Sequence, residues 1–156
     1  MQKSRAKEAK KMKITTKFTI ENKNRYSFVN VLIFLDNIVL GYEENFDLKG
    51  TVILDFSNII ENIDLLIHTE NYLDLKNIID LDEIDWDEYY CSTNDLLPRG
   101  SSLFDGDKLL AFKIKNDEFI AICKPYNQEI VVIRPFPISS YLREIKKLTN
   151  KLINFN

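Results

Sequence analysis

Between Asp80 and Tyr90 the chain reads Asp-Leu-Asp-Glu-Ile-Asp-Trp-Asp-Glu-Tyr-Tyr, six carboxylates beside three large aromatics with no basic residue among them. Such a run is open to three kinds of chemistry: proton transfer by paired carboxylates, coordination of a hard cation, or recognition of a positively charged surface. Carboxylate catalysis needs one pair at a defined separation. Residues 27–107 carry eighteen acids, so abundance singles out no pair. A calcium loop needs oxygen ligands at its third and fifth positions and a glycine at its sixth. Counted from Asp82 or Asp80, Ile84 falls on a ligand position and the sixth position holds no glycine. Recognition fits better. Dense like charge resists burial, while rigid amphipathic aromatics supply the contact area typical of interface hot spots. The expected partner-binding residues are therefore Asp80, Asp82, Glu83, Asp85, Trp86, Asp87, Glu88, Tyr89 and Tyr90. The alternative is that Trp86 and one tyrosine anchor the segment to the protein's own core while the acids are solvated, and one segment can do both.

Other reactive groups are sparse. The single histidine, His68, follows Leu65-Leu-Ile67 at the expected end of a helix, where a cation would suit the helix dipole. No Gly-x-Ser-x-Gly setting accompanies it to support triad chemistry. Cys91 and Cys123 are too few for a disulfide framework. Cys123 lies in the apolar run Phe119-Ile-Ala-Ile-Cys123 and reads as a small core hydrophobe, and Cys91 as a peripheral thiol. Zinc spacing is missing, and the glycines at 41, 50, 100 and 106 stand too far apart to form a phosphate-cradling loop. No catalytic residue, metal or cofactor is expected. A small carboxylate-based enzyme, or a structural or regulatory interaction module, remains the alternative to an inhibitory binding protein.

Charge is segregated along the chain. Residues 1–26 hold nine Lys/Arg against two Asp/Glu, residues 27–107 three against eighteen, and residues 108–156 nine against four. Asymmetry of this kind speaks to partners and steering, not to fold. A pI near 5.3 and the acidic middle argue against nucleic acid, although Lys3, Arg5, Lys7, Lys10 and Lys11 could contact phosphates. The N-terminal segment lacks the apolar stretch of a secretory signal. Phe28 to Leu35 is far shorter than the roughly 20 residues that span a bilayer. A cytoplasmic protein without membrane partners is expected, with residues 1–12 a flexible basic leader and residues 13–156 one α+β domain.

The elements that must position the acidic run follow from periodicity. Lys13 to Glu21 alternates as a half-buried strand, and Tyr26 to Leu35 is apolar at nearly every position, as a central strand covered on both faces would be. Asp36-Asn37 then turns a hairpin into Ile38–Tyr42. Gly50 to Asp55 reads as a further short strand. Ser57 or Asp55 is expected to cap a helix through Ile67, and a second short helix falls around Tyr72 to Ile79. From Asp80 to Asp107 periodicity fails and turn residues accumulate, predicting the longest exposed loops. Leu97-Pro-Arg-Gly-Ser101, which resembles a thrombin linker, would there be a proteolytic handle. Lys108–Ile114, Glu118–Cys123 and Glu129–Arg134 form a three-strand meander. Pro135 and Pro137 end it, and Ser139 or Ser140 caps a closing helix whose Tyr141, Ile145, Leu148 and Leu152 share one face. The result is an antiparallel sheet built from an N-terminal meander and a C-terminal three-strand meander, with one or two middle helices and an amphipathic closing helix packed on it.

In size, in its Ile/Asn/Lys-rich composition, in this layout and in the run Asp80 to Tyr90, the chain resembles the small acidic immunity proteins that bacteria encode beside polymorphic or contact-dependent growth inhibition toxins. The resemblance implies a noncatalytic protein that binds a cognate toxin domain, often a basic nuclease, and blocks it. The carboxylates of Asp80, Asp82, Glu83, Asp85, Asp87 and Glu88 would then stand in for phosphates and steer encounter.

Overall fold

The computed structural model describes residues 12–73, 84–129 and 131–155. The expected leader therefore lies outside the described residues, except Met12, which packs against the core. The α+β layout holds, and the two meanders are hydrogen-bonded as separate sheets.

Sheet A begins with β1 (Ile14–Lys23) and β2 (Tyr26–Leu35), antiparallel with Ile14 opposite Leu35 and Lys23 opposite Tyr26. Asp36 adopts a positive φ of 55° in the turn to β3 (Ile38–Leu40), a conformation that Asn and Asp tolerate better than most residues. The short β4 (Asp47–Leu48) pairs with the other end of β2, Leu48 opposite Phe28. Val29, Val31, Ile33 and Leu35 face the main core; on the opposite face Asn30 and Leu32 are buried but Phe28 and Phe34 only partly so, and the expected cover on both faces is incomplete.

Helix α1 (Lys49–Ile67) corrects the sequence reading. Residues 50–55 are its first turns and not a strand, and neither Asp55 nor Ser57 caps it. It starts after Leu48 without a side-chain cap, and Ser57 Oγ donates instead to the Ile53 carbonyl at 2.8 Å. The reason is tertiary. Val52, Phe56, Ile59, Ile63 and Leu66 form one buried stripe at helical spacing, and its burial outweighs the β-branched character of Thr51, Val52 and Ile53. The predicted helix around Tyr72 to Ile79 falls mostly outside the described residues, and Tyr72 and Leu73 themselves are not helical.

Sheet B is the meander β5 (Lys108–Lys115), β6 (Glu118–Lys124) and β7 (Val132–Pro135). Its two faces serve different clusters. Leu109, Ala111, Phe119, Ala121 and Cys123 join the main core, whereas Leu110, Phe112, Ile120 and Ile122 form a second one. Helix α2 (Trp86–Tyr89) is a single turn. Helix α3 (Ile138–Asn154) closes the core with Tyr141, Ile145, Leu148 and Leu152, as its pattern predicts. Ser139 and Ser140 lie inside α3 and do not cap it.

The segment from Asp95 to Asp107 departs furthest from expectation. It is irregular, yet Asp95, Leu96, Leu97, Leu103, Phe104 and Asp107 are buried. Arg99 explains this, its side chain being only 6% exposed. Its Nε donates to Asp95 Oδ2 at 2.9 Å, and its terminal nitrogens donate to the carbonyls of Phe104 (2.9 Å) and Asp107 (2.8 Å). The guanidinium thus supplies the donors a buried loop needs for its backbone acceptors. Gly100 beside it leaves room for α1, since a Cβ there would stand 2.2 Å from Asp55 Oδ1. The thrombin-like segment is therefore a packed internal turn, not an exposed handle.

Candidate partner-binding site

The acidic turn is built on the outer face of sheet B. Leu110, Phe112, Ile120 and Ile122 leave an apolar surface there, and Leu73, Ile84, Trp86 and Tyr89 cover it. Trp86 and Tyr89 stand three residues apart in one helical turn, so both reach the same side. Tyr89 meets Phe112 edge to face, with centroids 5.2 Å apart and planes at 89°, a favoured aromatic geometry. The remaining positions must then point away from the sheet.

Asp85 starts the turn, its Oδ1 accepting the Asp87 N–H at 3.2 Å. Asp85, Asp87 and Glu88 are exposed. Among the described residues none of the three has an ion-pair partner. Burial, and then the charges of Glu88 and Asp85, raise the Tyr89 phenol above its ordinary value. Tyr90 is half exposed, with the Arg99 guanidinium 5.3 Å and the Lys108 ammonium 6.0 Å from its ring centroid. Its ring thus links the acidic turn to the buried segment behind it.

Of the nine expected residues, the fold brings Asp85, Trp86, Asp87, Glu88, Tyr89 and Tyr90 together. Asp80, Asp82 and Glu83 lie outside the described residues. The aromatics divide: Trp86 and Tyr89 anchor the turn, and only Tyr90 shares the outer surface with the acids. What this arrangement does chemically is present a negative patch, without an ion pair among the described residues, on a short turn anchored by aromatics.

The reading from sequence passed over three buried polar residues. Asp107 is fully buried, and its two oxygens accept the N–H groups of Gly41 (2.7 Å) and Tyr126 (2.9 Å), joining sheet A to the loop after β6. Burial raises its carboxyl above the ordinary range, opposed by those two N–H donors and by Arg99. With both oxygens engaged by backbone, its role is architectural. Lys113 is buried too, donating from Nζ to the carbonyls of Ile67 (2.8 Å) and Thr69 (3.0 Å), where α1 ends and free carbonyls favour a cation. Arg99 is the third. The available signal was a lone arginine four residues after Asp95, set among Leu96, Leu97, Leu103 and Phe104.

His68 ends α1, exposed, with Nδ1 2.8 Å from the Asp64 carbonyl. Cys123 is buried and its thiol is pushed up to about 12, whereas Cys91 is exposed. Among the described residues no group of three or more His, Cys, Asp or Glu is placed to hold a metal ion, and no helix is long and apolar enough to cross a membrane. Comparison with protein families, curated proteins and solved structures finds nothing that matches this chain.

Proposed function

We propose that this chain is a noncatalytic immunity protein of the bacterial cytoplasm, which binds a cognate toxin domain of basic charge, such as a nuclease, and neutralises it through the acidic aromatic turn. The observation that carries this reading is the division of labour within Asp85–Tyr90. Trp86 and Tyr89 fix the turn to sheet B, and Asp85, Asp87 and Glu88 stand exposed without an ion pair among the described residues. Carboxylates held in place before contact attract a basic surface and lose little freedom on binding it.

The test is co-purification with the product of the gene adjacent to its own, at low and moderate salt, for the wild type and for the triple variant Asp85→Asn, Asp87→Asn, Glu88→Gln. The expected result is a basic partner captured by the wild type, more weakly as salt rises, and lost or much weakened in the variant. A folded variant that captures the same partner equally well would remove the acidic turn from the interface.

A further inference from the structure

Sheet A also has a second face, and a groove runs along it. The alternation of β2 sets Phe28, Leu32 and Phe34 opposite the core-facing residues, and pairing brings Val39 beside Phe34. Val39 is 42% exposed. Tyr42 and Tyr126 stand over this floor, their ring centroids 4.2 Å apart at 65°. They line a hollow of about 610 Å³ with Leu32, Phe34, Glu43 and Glu44. A second hollow continues past Glu43 and Glu44 toward Phe28 and Glu21.

The tyrosine wall is held from behind. Asp107 accepts the N–H groups of both Gly41 and Tyr126, and the Tyr42 hydroxyl donates to the Asp105 carbonyl. Two residues far apart in sequence are thereby fixed by one buried carboxylate. Glu43 and Glu44 are exposed on the turn after Tyr42, with no ion pair among the described residues. Glu21 is 3.9 Å from Lys23, and Lys17 projects beside Leu32 on the β1 flank. Positive charge on a partner is therefore accommodated at the Glu43–Glu44 rim and repelled at the β1 flank.

We infer that this groove docks a basic polypeptide segment of a partner protein. An arginine stacks on the Tyr42–Tyr126 pair and reaches Glu43 or Glu44, and a neighbouring aliphatic side chain enters over Leu32 and Phe34. A planar guanidinium suits both the aromatic faces and a carboxylate, and the apolar floor gives its neighbour a place to bury. The inference shares with the proposed function only the basic charge of the partner; the surface is a different one.

The test is an NMR titration of the ¹⁵N-labelled full chain with the blocked peptide Gly-Leu-Arg-Arg-Leu-Gly, and with Gly-Leu-Glu-Glu-Leu-Gly as control. Saturable shifts are expected at Val39, Gly41 to Glu44 and Tyr126. Glu43→Gln with Glu44→Gln should weaken binding by about tenfold or more, two charge-assisted contacts being lost at exposed positions where the fold is not at risk. The variant Asp85→Asn, Asp87→Asn, Glu88→Gln should bind the peptide as the wild type does, so failure of the acidic turn and failure of the groove give different results. The inference is overturned by no shifts at these positions, by an equal response to the acidic peptide, or by unchanged affinity in the Glu43/Glu44 variant. Shifts that follow protein concentration alone would assign the face to a second copy of the chain and would overturn it as well.

Discussion

Asp95 and Asp107 lie beneath the surface with Arg99 between them, whereas Asp85, Asp87 and Glu88, a few residues earlier, stand in solvent with no ion pair among the described residues. The same residue type therefore serves opposite ends. Each carboxylate oxygen of the two buried acids finds a donor: Asp95 accepts from Arg99, Cys91 and Leu97, and Asp107 from Gly41 and Tyr126. In the turn, aromatics perform the anchoring and the acids keep their hydration. What separates the two is whether a donor is built in beside the charge, since an ionised group is retained in a protein interior only when paired and hydrogen-bonded.

Breaking the buried side of this contrast should have the largest effect. Arg99→Met should lower stability in urea by about 3–5 kcal/mol, because it strands the Asp95 carboxylate and two carbonyls. Arg99→Lys should not restore the loss, since an ammonium cannot reproduce the fork. If Arg99→Met were near neutral, the segment would not depend on its charges.

Gly41→Ala should come next, at about 1–3 kcal/mol. Gly41 has φ +92°, and a Cβ would approach the Val31 carbonyl oxygen to 2.6 Å, next to the N–H that Asp107 accepts. The midpoint of urea unfolding measures it, and the peptide shifts at Tyr42 should weaken in parallel.

Asp55 lies between the two extremes, half-buried against Ser101, and sharpens the comparison through pH. Burial raises its carboxyl above the ordinary 3.8, opposed by Ser101 and reinforced by Asp47. The folded chain thus holds this proton more tightly than the unfolded chain. That stabilisation is complete below 3.8 and is lost as pH rises through the raised value. Asp55→Asn does not titrate, so its stability relative to wild type should climb across this window and then level off. A flat difference from pH 3 to pH 7 would mean that the carboxyl is not strained by burial.

The smallest effect on stability belongs to the exposed acids. Asp85→Asn, Asp87→Asn and Glu88→Gln should each change it by no more than about 0.5 kcal/mol. Their combined loss should slow association with a basic partner by roughly tenfold or more at low salt, measured by stopped flow.

β1 and α3 were legible because each has one buried face whose repeat is written in the sequence, and β2, β5 and β6 because burial on both faces makes them nearly continuous apolar runs. The start of α1 was hidden by Gly50-Thr-Val-Ile-Leu, whose local preference is extended and whose helical stripe is visible only when read through to Leu66. The 95–107 segment was misread for a different reason. Pro98, Gly100 and Ser101 announce turns, but turn residues report chain direction and not depth. Depth here depends on the carbonyls that Arg99 reaches and on a place vacated beside Asp55, neither of which has a local signature. The acidic turn was half legible: its charge and aromatics were plain, and the inward direction of Trp86 and Tyr89 was one of two options until the face of sheet B was known. The groove of sheet A joins Tyr42 to Tyr126 through Asp107, a meeting that pattern alone does not reveal.

The packed turn at Leu97-Pro-Arg-Gly-Ser101 gives the chain a built-in clock. Thrombin needs the peptide bond after Arg99 in an extended, accessible strand, and in the native fold the arginine faces inward. Cutting must wait for the segment to open, so when reclosing is fast the cleavage rate reports the population of open molecules. A protease normally used to remove tags becomes, for this protein, a gauge of how often its central charges come apart, and any partner that holds the segment shut should slow the cut.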